Sequence, residues 1–285
     1  MAALERALGE SDIEQCMRLV TEAGWNQTAN DWKTIFQIGE ARGLFNADAL
    51  IASAAIVRHD PVGWICMVLV APSEQRRGHA TRLLNWAGDR LTELGLIAGL
   101  DATPAGRNVY LPLGYHDIYP ITRLQTATPL RSAGTPPALA ARSIGVGDVG
   151  SVLGSILALD RRAFGADRGE LLASLIRRRP DIAMAAFEGD ECVGFVLARE
   201  GLRATQLGPI VARDEDIAIA LLDGALRTIE GAVFIDAPDR HLKLRAWLEA
   251  HGFTAQRPFM RMLRGCDRPF DDSSLIFALT GPEFA

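Results

Sequence analysis

Val68-Leu69-Val70-Ala71-Pro72-Ser73-Glu74-Gln75-Arg76-Arg77-Gly78-His79-Ala80-Thr81-Arg82-Leu83-Leu84 is the stretch that decides how this chain reads. An apolar run from Trp64 to Ala71 stops at Pro72, and the polar loop Gln75-Arg76-Arg77-Gly78 follows. Beyond it Ala80, Leu83, Leu84, Ala87 and Leu91 share one face at helical spacing, and Gly95 closes the helix. That order predicts a strand whose end meets a helix N-terminus. The first four N–H groups of a helix lack an intrahelical partner, and the helix dipole adds partial positive charge there. Such a place suits a phosphate or pyrophosphate. Gly78, without a Cβ, lets an anion come close to the backbone. Arg76 and Arg77 add positive charge, and Ala80 keeps the first turn narrow.

In this context Gln75, Gly78 and Ala80 resemble the Q/R-x-x-G-x-G/A signature of the GCN5-related N-acetyltransferase (GNAT) superfamily. The resemblance implies acetyl-coenzyme A as co-substrate, its pyrophosphate held by the loop. The implied contacts are Leu69, Val70, Gln75, Arg76, Arg77, Gly78, His79 and Ala80, with backbone N–H near Leu69 or Val70 on the acetyl carbonyl. It also implies an α/β (α+β) fold in which a mixed, twisted sheet is flanked by helices.

A tyrosine in the helix before a Gly-Phe/Tyr pair often lies near the cofactor sulfur in that superfamily and protonates the departing thiolate. Asn108 to Tyr115 puts Tyr110 five residues before Tyr115, which makes it the expected catalytic acid. A phenol suits that task because its pKa is comparable to that of a thiol. The first helix pair usually lines the acceptor side, so Trp25, Asp31 and Trp32 are the implied substrate contacts, with Asn26 and Phe36 beside them. Two tryptophans near polar groups suit a small amphipathic amine. Trp32 and Phe36, at i and i+4, also fit a plain core stripe. Asp101, His59, Asp60 and His116 fall at strand ends, and none is singled out as a base.

A chain of 285 residues is comfortable for two domains, and 48% hydrophobic content excludes global disorder. A formal net charge of −5 argues against a nucleic-acid partner. The N-terminus lacks the basic-then-apolar pattern of a signal peptide, and no apolar run reaches the length of a membrane span. The chain reads as soluble and cytoplasmic, without a membrane partner. Cys16, Cys66, Cys192 and Cys266 are widely spaced and read as buried free thiols. The five histidines show no metal-ligand spacing, so no metal is expected.

Along the first half, Ser11 with Glu14 is a capping-box pattern opening a helix over 12–22, and a second helix covers 29–38. Strands are predicted at 43–47, 49–58, 64–70 and 96–100, a helix at 105–113 and a last strand near 122–126. A Pro/Ser/Thr/Ala-rich segment divides a first domain, 1–127, from a second, 139–285, with 128–138 as linker. The second half repeats the plan. Helices are predicted at 146–159, 169–178, 216–229 and 242–250, and strands at 182–186, 192–199, 204–211 and 233–236. Leu100-Asp101-Ala102 matches Ile235-Asp236-Ala237, and Gly114-Tyr115 matches Gly252-Phe253, the mark of two tandem domains of one fold.

The halves differ where chemistry is expected. The second loop, Arg213-Asp214-Glu215-Asp216-Ile217-Ala218, is shorter, lacks glycine and carries three carboxylates. Like charge there opposes a pyrophosphate, and the same carboxylates suit a helix cap. Leu248 stands where Tyr110 does and has no proton to give. The expectation is an acetyl-coenzyme A-dependent N-acetyltransferase acting on a primary amine of a small-molecule acceptor, with its chemistry in the first half. The alternatives are a non-catalytic acetyl-coenzyme A sensor and a ligand-binding module.

Overall fold

The computed structural model describes residues 3–130, 141–144 and 149–285. In the first half, β1 (Leu4–Ala7) precedes α1 (Ile13–Glu22) and α2 (Ala29–Ile38). Then come β2 (Gly39–Asn46), β3 (Ala49–His59), β4 (Val62–Val70), α3 (His79–Glu93), β5 (Ile97–Ala102), α4 (Pro104–Tyr110) and β6 (His116–Thr126). The second half begins with β7 (Ala141–Ser143), α5 (Val149–Phe164) and α6 (Gly169–Arg178). It continues with β8 (Met184–Glu188), β9 (Glu191–Arg199), β10 (Thr205–Ala212), α7 (Glu215–Leu226), β11 (Val233–Pro238), α8 (Leu242–Ala250), β12 (Thr254–Arg264) and β13 (Ile276–Ala278). Most of the expected linker and the start of the helix placed at 146 lie outside the described residues.

The apolar spacing of α3 is satisfied by packing on β3, β4 and β5. In α3 the side chains of Leu83, Leu84, Ala87 and Leu91 are buried, as their periodicity requires. The capping-box expectation at Ser11 is corrected. A single 3-10 turn, Glu10–Asp12, precedes α1, and the Asp12 carboxylate accepts from Gly9 N–H and from Arg6.

All strands join one mixed sheet, ordered β1-β2-β3-β4-β5-β12-β6-β11-β10-β9-β8-β7, with β13 beside β10. The halves exchange strands at its centre. The last strand of the first half, β6, lies between β11 and β12, while β12 of the second half lies between β5 and β6. The core is continuous across the halves as well. One cluster joins Val20, Trp32 and Trp64 to Phe164, Leu172 and Phe195. No helix among the described residues is long and apolar enough to cross a membrane.

Candidate active site

The geometry of the site begins with β4. Met67 takes a left-handed backbone conformation (φ 51°), rare for a side chain of its size. It marks a bulge, because the β3–β4 register shifts there: Ala55 opposes Cys66, yet Ser53 opposes Leu69. Ser53 Oγ donates to the Met67 carbonyl at 2.9 Å and holds the kink. The parallel pairing of β4 with β5 covers only Val62–Trp64 and Ile97–Gly99. Beyond it the strands part, and the edge of β4 from Ile65 to Val70 faces a slot instead of a neighbour. Backbone N–H and C=O groups on such an edge are strong hydrogen-bonding groups awaiting a partner.

At the end of β4 the loop turns into α3. Arg76 (φ 62°) and Gly78 (φ 81°) are both left-handed, and Gly78 is the N-cap with no side chain closing the helix end. A Cβ at Gly78 would meet nothing within 4 Å, so the space before the helix end is open. Gln75, Arg76 and Arg77 are exposed around it. Glu74 takes Arg77 at 3.0 Å and His79 at 3.4 Å, which orients the loop's side chains. Free N–H groups, open space and cations together fit a bridging diphosphate.

A cavity of about 290 Å³ opens from the slot between β4 and β5. Its apolar side is made by Ile65, Met67, Val68, Ala80, Leu84 and Leu100. Tyr110, on α4, lies at this side, and burial pushes its phenol up to about 12. The phenol therefore keeps its proton at neutral pH. Gly106 makes room for it: a Cβ there would stand 2.9 Å from the Tyr110 ring. Thr103 Oγ1 caps α4 by accepting from Gly106 N–H.

The polar side of the cavity comes from both halves. Trp25, Asn26 and Gln27 follow α1, and Arg123 lies on β6. Arg257 and Phe259 lie on β12, and Glu283 is near the chain end. Asn26 clamps the opposite half, accepting from the N–H groups of Arg203 and Ala204 at 2.9 and 3.0 Å. Glu283 accepts from Gln27 Nε2 at 2.7 Å and pairs with buried Arg199. Asp101 also lines the cavity, where Arg261 holds it through two bonds of 3.0 Å. A carboxylate held in that way is no free base.

Two expected acceptor contacts stand elsewhere. Trp32 is fully buried in the core, its ring tilted against Phe36 with centroids 5.6 Å apart, and does not line the cavity. Asp31 is also fully buried; it caps α2 through Thr28 N–H and pairs with Arg178 and Arg199, both at 2.9 Å. Both read as structural, Asp31 because its carboxylate is committed inside the protein and Trp32 because its ring is buried in the core. Leu69 is buried in β4 with its side chain in the core, whereas Val70 is half-buried at the strand end. His59 belongs to a separate groove of about 820 Å³ between β3 and α5–α6, together with Asp60. His116 lines neither cavity. Cys16, Cys66 and Cys192 are buried free thiols, while free Cys266 is only partly buried. Among the described residues no His, Cys, Asp or Glu cluster is arranged to hold a metal ion.

The second half carries the same slot, filled. Strands β10 and β11 pair only at Thr205–Gln206 and Val233–Phe234, as β4 and β5 do at their base. Into the opening runs β13, with Ala278 opposite Ile210 and Ile276 opposite Val211. Leu279 N–H donates to Asp236 O on β11 at 2.8 Å. The end of α7 is closed too. Asp214 accepts from Ile217 N–H at 3.0 Å, and Glu215 accepts from Leu244 N–H at 2.7 Å.

A model described as the acetyltransferase (GNAT) family matches residues 3–115, and one described as the acetyltransferase (GNAT) domain matches 156–278. Between them they take in most of the chain. The chain is 25% identical over 250 residues to the uncharacterized N-acetyltransferase YitH of Bacillus subtilis (strain 168), covering 86% of each. A crystal structure of a provisional acetyltransferase from Pyrococcus horikoshii aligns with a TM-score of 0.80 at 20% identity, over 100% of this chain and 96% of that one. A tandem GNAT protein from the clavulanic acid biosynthesis pathway aligns at 0.65 and 12% identity, over 92% and 98%. These two structural likenesses show a shared fold.

Proposed function

Since the chain belongs to the GNAT acetyltransferase family and is an N-acetyltransferase, we propose that its first half carries the chemistry on a small primary amine. The observation that carries this reading is the contrast between the open β4–β5 slot and the β10–β11 slot filled by β13. The chain's own strand makes in the second half the contacts a ligand would make in the first. The self-capped α7, with Asp214 at its N-cap and Glu215 and Asp216 in its first turn, supports the same asymmetry.

In this reading acetyl-coenzyme A supplies a thioester, which a neutral amine attacks so that a C–N bond forms and the C–S bond breaks. Gly78, Arg76 and Arg77 hold the diphosphate at the start of α3. The free edge of β4 around Leu69 and Val70 orients the chain's donors toward the acyl carbonyl. Tyr110 gives its phenol proton to the departing sulfur and is reprotonated by the proton that the attacking nitrogen sheds, passed through water. Its elevated pKa keeps that proton in place until the thiolate, a stronger base than water, forms. Trp25 and Gln27 hold the acceptor from the polar side, which Arg257 and Phe259 complete. A division near residues 128–138 gives the two repeats separate roles, the second being a wall and a scaffold.

Release of free coenzyme A from acetyl-coenzyme A in the presence of an amine library tests this reading. Turnover lost in Tyr110→Phe, with acetyl-coenzyme A still bound, supports it. Amine-dependent turnover unchanged by that substitution would remove Tyr110 from the mechanism.

A further inference from the structure

Every charge lining the cavity except one is matched within the protein. Arg261 holds Asp101. Arg123 holds Asp236 through two bonds of 2.7 Å, and Asp236 takes Gln206 as well. Arg199 and Gln27 hold Glu283. Arg257 is half-buried in the same wall, and its guanidinium has no carboxylate within ion-pair distance among the described residues. Its Nε donates to the amide oxygen of Gln256 at 3.2 Å, and its guanidinium is 5.9 Å from the Phe259 ring. Burial and the nearby Arg123 both lower its pKa, with Asp236 pulling the other way and Arg203 adding to the positive side. A half-buried cation with like charge beside it is unfavourable until an anion arrives.

A second observation lies on the same polar side of the cavity. Gln27 is 4% exposed, and its Oε1 has no hydrogen-bond partner while its Nε2 is committed to Glu283. A buried carbonyl oxygen left without a donor is rare and points to an N–H group that arrives from elsewhere.

We propose that the acceptor is a small amine bearing a carboxylate, that Arg257 selects the carboxylate, and that Gln27 Oε1 receives the amine. The inference rests on the function proposed above and adds the substrate class. A planar guanidinium fork matches a carboxylate in two parallel bonds. One unmatched cation calls for one negative charge. A phosphate dianion would need a second, and the fork of Arg123 is already used by Asp236. The modest cavity, with Trp25 and Phe259 on its walls, suits an amino acid or a similar small molecule over a peptide chain.

The test uses the full chain, acetyl-coenzyme A and the standard amino acids, each beside its primary amide and its decarboxylated amine, with coenzyme A release as readout. At least one acid should be acetylated with kcat/KM about tenfold or more above its amide, the worth of one charge-assisted contact. Arg257→Gln should erase that preference, mostly by raising KM for the acid, with acetyl-coenzyme A affinity in place. Arg257→Lys should restore part of it and guards against a mere folding defect. Amides acetylated as well as acids, a preference that survives Arg257→Gln, or bound acetyl-coenzyme A with no acid acetylated would each overturn the inference. Calorimetry separates the two levels: failure to bind acetyl-coenzyme A removes the proposed function itself, whereas binding without acid preference removes only the substrate class.

Discussion

A Cβ on Gly208 would stand 2.0 Å from the carbonyl oxygen of Leu279, so the missing side chain of β10 is what lets the segment after β13 enter the second slot. Gly208→Ala should therefore expel or strain that segment. The expected loss is about 1–3 kcal/mol, typical of overpacking a tight site. A denaturant melt measures it, and a midpoint like that of the parent chain would mean that β13 does not depend on this contact.

Gly78→Val tests the other end of the asymmetry. The position is left-handed, which costs a branched residue about 1–2 kcal/mol, yet a Cβ there meets no protein atom. The variant should fold with a modestly lower melting temperature and lose acetyl-coenzyme A affinity by far more than that strain explains. Retained affinity would detach the loop from diphosphate binding.

Tyr110→Phe should lower kcat by about 100-fold or more, the range of general acid catalysis, with little change in acetyl-coenzyme A affinity. Gly106→Ala should act on the same group indirectly. Its Cβ would press on the Tyr110 ring, so kcat should fall less steeply than in the phenylalanine variant. Steady-state kinetics on the pair separate removal of the phenol from its displacement.

Asp31 ties α2 to Arg178 and Arg199 of the second half. Removing one member of a buried ion pair leaves the partner's charge uncompensated and costs about 3–5 kcal/mol. Asp31→Ala should therefore destabilise the whole chain in one transition, because the halves share a core. Two separate unfolding transitions in the parent chain would contradict that shared core.

Burial lowers the pKa of His59 from its ordinary value to about 3. The unfolded state takes up a proton on this residue below about pH 6.5 and the folded state does so only near 3. Stability from keeping His59 neutral is thus present above pH 6.5 and is lost as pH falls toward 3, with a slope up to about 1.4 kcal/mol per pH unit. In His59→Phe that part of the acid slope should vanish from melts recorded between pH 6.5 and 4.

Local signals carried much of the fold into view. The spans Ala29–Ile38, Gly169–Arg178 and Leu242–Ala250 coincide with their expected helices, because apolar spacing and closing glycines or polar turns depend only on neighbours in sequence. Strand β12 was not foreseen. Thr254–Arg264 mixes Arg257, Arg261 and Arg264 with apolar residues, and Arg261 is matched in its buried place only because Asp101 and Asp271 come from other parts of the fold. The exchange of β6 and β12 is likewise a matter of long-range pairing that no local pattern encodes. At the site, the loop and Tyr110 follow a motif of fixed spacing, and they stand at the start of α3 and at the cavity wall. Arg123, Arg257 and Glu283 reach the cavity through the strand exchange and the folded-back C-terminal segment, which a linear reading cannot see. Asp31 and Trp32 were misjudged because helical spacing gives a face without saying whether it meets a cleft or a core.

The central claim is that one half of the chain is equipped for acetyl-coenzyme A and the other has filled its own slot. Isothermal titration of the purified chain with acetyl-coenzyme A measures this directly. The account predicts one site per chain, abolished by Gly78→Val and untouched by Leu248→Tyr. Two sites per chain, or a single site that survives Gly78→Val, would contradict it.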